Sequence, residues 1–188
     1  MKTSFLHKYM QAIQLFLFRS SSQYKKRNSP FDISRRLDQV SKVILCLPDD
    51  SYEAERALTA VRRIKDIFLH WDITIFSAHN KLPSDRDNAD YAVVTYTEDD
   101  ISRLNMPKKE LLQRLNGSYD LAMDLSIPFH FINTVITWTQ GEQLRIGFFH
   151  PRREKLYNFM LRRNIDATLD ASYQSLVNYL HSFKKRGA

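Results

Sequence analysis

Glycine is scarce, with four residues in 188. There is no G-x-G-x-x-G and no Walker-type loop, so nothing marks a dinucleotide or triphosphate site and no cofactor is expected. Cys46 is the single cysteine. That excludes an intrachain disulfide and any cysteine-built zinc site. Cys46 lies in an apolar run and reads as a reduced core thiol, which suits a cytoplasmic protein. His79, His130, His150 and His181 show neither H-x-x-x-H nor H-E-x-x-H spacing, so no metal site is expected. Without a G-x-S-x-G elbow, covalent hydrolase chemistry has no support. No apolar run reaches the roughly 18 residues of a spanning helix.

Acidic residues are missing from the first 31 positions; the first is Asp32. The same stretch holds Lys2, Lys8, Arg19, Lys25, Lys26 and Arg27. Most of the net charge of +7 therefore sits in an arm, and the rest of the chain is nearly neutral. Such asymmetry points to an anionic partner. Residues 1–20 space Phe5, Leu6, Tyr9, Met10, Ile13, Phe16 and Leu17 on one helical face. Residues 20–30 read as a polar linker. A signal segment and a membrane-surface helix are alternatives for this arm, although no clean small-x-small cleavage site follows it.

From residue 32 onward, strand-like and helix-like stretches alternate. Lys42–Leu47, Asp72–Ser77, Tyr91–Tyr96, Leu121–Leu125 and Leu144–Phe149 are short apolar or β-branched runs, as in strands covered on both faces. Helical stripes fall between them at Ala57, Leu58, Val61, Ile64 and Phe68, and over Phe129–Gln140. A last stripe runs from Leu169 to Leu180. The expectation is an α/β fold. It is a single Rossmann-like three-layer domain over residues 32–188, with a mostly parallel five-stranded sheet, preceded by the basic helix and linker of residues 1–31.

Open parallel sheets bind ligands at the carboxyl ends of their strands. Asp49, Asp50 and Ser51 follow the first strand, and Asp124 and Ser126 end the fourth. Two carboxylates after the first strand suit a general base; they equally suit helix capping, with Glu53 in capping-box spacing from Asp50. Asp124 reads as a ligand-facing residue or a turn cap. His130 reads as a packed histidine. Arg152, Arg153, Lys155, Arg162 and Arg163, interleaved with Tyr157 and Phe159, form a candidate anion-binding segment. No recognised RNA or DNA motif is present.

Two resemblances follow from these stretches. Y-D-L-A-M-D-L-S at Tyr119–Ser126, followed by L-R-I-G-F at Leu144–Phe148, resembles the N-terminal half of the family 9 glycosyltransferases, the heptosyltransferases. A-L-T-A-V-R-R-I and D-I-T-I-F are similar to that family's first helix and second strand. The resemblance implies a Rossmann-like domain and places Asp50 where the family has the base for its sugar acceptor. Asp49 stands where the family has Gly. Those enzymes carry a second domain for the nucleotide-sugar donor, and the residues after Phe149 are too few for one. The chain also resembles a family of uncharacterised bacterial single-domain proteins with a basic N-terminal helix. The counterparts there are Tyr119–Ser126, Leu144–Gly147, Tyr157–Met160 and Ala171–Phe183, which implies fold and size only.

The sequence therefore leads first to a binding or assembly module docking through its arm on RNA or a ribonucleoprotein, with Arg152 and Arg153 as further contacts. A partner protein held by the N-terminal helix and the cytoplasmic membrane face are further candidates. The enzymatic alternative is a glycosyltransferase-like half-protein that uses Asp50 and needs a donor-domain partner. The structural alternative is a homodimer.

Overall fold

The computed structural model describes residues 32–79, 91–103, 105–115 and 117–187. Residues 1–31 and 80–90 lie outside it.

Asp32 opens the described chain as an N-cap, its carboxylate accepting from the Ser34 and Arg35 N–H groups. The helix it starts, α1 (Ile33–Leu37), is too short for periodicity to announce. The elements after it are β1 (Lys42–Cys46), α2 (Ser51–Ile67), β2 (Asp72–Ala78) and β3 (Ala92–Tyr96). A 3-10 turn at Glu98–Asp100 precedes α3 (Lys109–Arg114). Then come β4 (Tyr119–Asp124), α4 (Phe131–Gln140), β5 (Gly141–Phe148), β6 (Phe159–Leu161) and α5 (Leu169–Gly187).

The strands form one six-stranded sheet in the order β3-β2-β1-β4-β5-β6, and every pair is parallel. Five of these strands match the runs read from the sequence. The sixth, β6, lies inside the basic segment. It has three residues and pairs Ile146 with Phe159 and Phe148 with Leu161. Three residues give no alternation to read, so only the pairing reveals it.

Both faces of the sheet are covered. Along β1, Val43 and Leu45 join the core under α2 and α5, whereas Ile44 and Cys46 join the core under α4. Alternate side chains point to opposite faces. Because both faces are apolar, the strand reads as one continuous run. Right-handed crossovers explain the layers: the chain moves outward from β1 to β2 and in the opposite direction from β4 to β5, so α2 and α4 fall on opposite faces.

Two devices set the strands' amino ends. Asp120 Oδ2 accepts from the Ser41 N–H, the Ser41 hydroxyl and the Lys42 N–H at 2.9–3.0 Å, and its Oδ1 accepts from Gln143 at 3.3 Å. Burial opposes its charge, but these bonds outweigh it and hold the carboxyl below its ordinary range. Gly117, in the turn before β4, takes φ 103°, a conformation open to glycine. At the other end of α2, Lys184 of α5 donates to the Ile67 carbonyl, a favourable place for a cation.

Candidate functional site

The strand order reverses between β1 and β4, which opens the carboxyl edge of the sheet at that point. The turn after β1 carries Asp49 and Asp50, and the two have different fates. The helix begins at Ser51, so Asp50 takes the N-cap, with Oδ1 accepting the Glu53 N–H at 2.9 Å. This is the capping use that the sequence set beside the catalytic one. Ser51 opens α2 and is exposed. Asp49 points the other way. Its Oδ1 accepts the Tyr96 hydroxyl at 2.8 Å, and its Oδ2 meets His130 Nε2 at 2.6 Å. Its side chain keeps 46% of its surface exposed, so the carboxylate is anchored at both oxygens yet open to a ligand.

His130 is the N-cap of α4. Its Nδ1 accepts the Asn133 N–H at 3.4 Å, which leaves Nε2 as the donor to Asp49. Burial opposes a charge on the ring. The bond to Asp49 and the fields of Asp49 and Asp124 outweigh it, so the His130 pKa lies above the ordinary imidazole value. Burial, reinforced by the Asp49 carboxylate, pushes the Tyr96 phenol up and keeps it a hydroxyl donor.

Beneath this pair is a buried polar network. Asp124 is fully buried. Its Oδ1 accepts the Ser126 N–H at 2.9 Å, and its Oδ2 accepts from Tyr157 at 2.7 Å and from Arg153 at 2.9 Å. Arg153, also fully buried, donates to the Ser126, Phe148 and Pro128 carbonyls at 2.7–3.1 Å. The Ser126 hydroxyl accepts from Asn133 Nδ2. Burial raises the Tyr157 phenol, with Asp124 adding to it. Tyr157 reaches Asp124 across Gly147, where a Cβ would sit 2.7 Å from the tyrosine ring.

These contacts correct three expectations. Asp124 and Ser126 do not face a ligand; they lie inside, and Asp124 takes the turn-capping alternative by accepting the Ser126 N–H, its buried charge matched by Arg153. Arg153 is no surface contact: it is fully buried, and its two Nη atoms are held by Asp124 and three carbonyls, while Nε has no hydrogen-bond partner. Arg152, its neighbour, is half-buried with its guanidinium 5.1 Å from the Phe129 ring centre. The arm residues Lys2, Lys8, Arg19, Lys25, Lys26 and Arg27 lie outside the described residues. Among the described residues, no three His, Cys, Asp or Glu side chains converge as metal ligands, and no helix is long and apolar enough to cross a membrane.

Glu53 completes the neighbourhood from the first turn of α2. It accepts the Ile127 N–H at 2.7 Å and the Tyr173 hydroxyl at 3.3 Å. Burial raises its pKa, partly offset by those two bonds. A carboxyl raised on folding favours the fold below its unfolded pKa and gives that contribution up as pH rises through the folded value. Glu53→Gln keeps an acceptor oxygen and carries no charge. The variant is expected to gain thermal stability relative to the native chain as pH rises from 4 to 8. Melting curves across that range check it, and a relative loss at pH 8 would refute the assignment.

Sequence reasoning placed Asp49 at the edge but missed Tyr96 and His130 as its partners. His130 had a readable local signal, since it directly precedes an apolar helical run. Tyr96 had none beyond ending a strand.

The sequence matches no family model and no curated protein. Among solved structures, the fold is similar to that of the E. coli heptosyltransferase WaaC, solved with ADP-2-deoxy-2-fluoro heptose. The TM-score is 0.54 at 8% identity, and the match covers 73% of this chain and 47% of that one. The chain thus shares a Rossmann-like α/β fold with about half of that protein.

Proposed function

We propose that this domain is the acceptor-binding half of a glycosyl-transferring assembly, with Asp49 as the base for an acceptor hydroxyl. The observation that carries the reading is the half-open Asp49 carboxylate at the strand-order reversal, fixed by Tyr96 and His130. A hydroxyl placed about 2.6–3.2 Å from either oxygen would meet the geometric requirement for proton removal. The O–H bond breaks toward Asp49 as the oxygen attacks the anomeric carbon of a nucleotide-sugar donor, and the nucleoside diphosphate departs with the electrons of the broken anomeric carbon–oxygen bond. The fold shared with a heptosyltransferase supports this class of chemistry. The donor site, on this reading, lies outside residues 32–187.

Asp49 replaces Asp50 as the proposed base, because Asp50 is committed to the α2 N-terminus. The test is a chemical-shift map of the 15N-labelled full-length chain against free monosaccharides and short oligosaccharides. Saturable shifts centred on Asp49, Tyr96 and His130 are expected. Shifts confined to other surfaces, or none across the panel, would sink the reading.

A further inference from the structure

The His130 ring serves two contacts at once. With the ring neutral, Nδ1 accepts the Asn133 N–H at 3.4 Å while Nε2 donates to Asp49 at 2.6 Å. Asn133 is itself fully buried. Its Nδ2 donates to the Leu47 carbonyl and the Ser126 hydroxyl, both at 2.8 Å, yet its Oδ1 has no hydrogen-bond partner. A buried oxygen without a donor calls for an explanation. We propose that His130 is a positioning residue whose Nδ1 exchanges partners, from the Asn133 N–H in the neutral ring to Asn133 Oδ1 in the charged ring. The exchange ties the hold on Asp49 to the first turn of α4. The inference rests on Asp49 being the acceptor-site carboxylate.

Each state keeps one bond at Nδ1. Protonation turns Nδ1 into a donor, so the cap to the Asn133 N–H is lost and a charge-assisted bond to the orphan oxygen is gained. The Asn133 side chain is among the groups that favour the charged ring. Asp49, from the turn after β1, and Asp124, from β4, favour the cation. Arg153 and Tyr157 are taken up by Asp124, and Tyr96 of β3 holds the other oxygen of Asp49. The amino end of α4 opposes a cation. In the charged state Asp49 is locked in an ion pair; in the neutral state it keeps a single hydrogen bond from the ring. Asp49 therefore becomes available to take a proton as pH rises through the His130 midpoint.

The experiment follows the ring nitrogens of His130 and the backbone amide of Asn133 by NMR in the full-length chain, from pH 5.5 to 9. The neutral ring is expected to carry its proton on Nε2. The Asn133 amide should shift with the same midpoint as the ring. Asp49→Asn should lower that midpoint, because the carboxylate that favours the charged ring is gone. His130→Asn keeps a favoured cap residue, so α4 persists, while the Asn133 transition disappears. A neutral ring protonated on Nδ1, or an Asn133 amide silent at the His130 midpoint, overturns the proposal on the native chain alone. No readout needs a sugar. A coupled titration without saccharide binding would leave His130 in place and remove the glycosyl-transfer reading. Saccharide binding with a silent Asn133 amide would do the reverse.

Discussion

Replacing Arg153 with methionine is expected to destabilise the domain by about 3–5 kcal/mol, the usual cost of removing one partner of a buried ion pair. Methionine retains most of the apolar volume, so the loss is electrostatic. Asp124 would stay fully buried with the Ser126 N–H and the Tyr157 hydroxyl but no cation. The Ser126, Phe148 and Pro128 carbonyls would each lose a donor. Those carbonyls shape the turn after β4 and the end of β5, so the carboxyl edge should loosen first. Pairing the change with Asp124→Asn removes the stranded charge, and the double variant should be clearly less damaged than the two single costs added together. Denaturant unfolding of the three variants measures this. A cost below about 1 kcal/mol for Arg153→Met would show that the buried pair is not what holds the edge.

The second large effect concerns chemistry. If the domain acts as proposed, Asp49→Asn is expected to lower the chemical step of glycosyl transfer by about 10²–10⁴-fold, the range over which a positioned base acts. The change is nearly isosteric and the contacts can be kept. The amide oxygen can still accept from His130 Nε2, and the amide nitrogen can donate to Tyr96, whose hydroxyl can turn to accept. Melting temperature and acceptor binding should therefore stay close to the native chain while turnover collapses. The measurement is single-turnover transfer in a pair reconstituted with a donor-domain chain. A rate within about threefold of native would remove Asp49 as the base. Asp50→Asn serves as the contrast: it keeps a favoured cap for the Glu53 N–H and should leave the rate near native.

Asp49 and Asp50 show how local rules divide two identical side chains. Capping preference says that one residue just before the helix bonds back to it, and once the helix starts at Ser51 that residue is Asp50. The rule does not say where Asp49 goes. Its partners Tyr96 and His130 come from β3 and the start of α4, which parallel pairing alone brings beside the end of β1. Arg153 makes the same point about charge. In the sequence it stands among other basic residues and reads as part of an anion-binding segment. Its burial depends on Asp124, and that proximity exists only once β4 and β5 pair.

The sequence by itself determined the α/β class, five of the six strands and the helices with a continuous apolar stripe. It did so because burial on both faces leaves a one-dimensional trace of consecutive apolar strand residues. A stripe every three to four residues likewise marks each long helix. The tertiary structure alone decided the short strand β6, the sinking of Asp124, Ser126 and Arg153, and the joining of Asp49 to Tyr96 and His130. Those outcomes depend on pairwise distances and on the cost of burying charge. Neither is visible until the sheet order brings distant strand ends together.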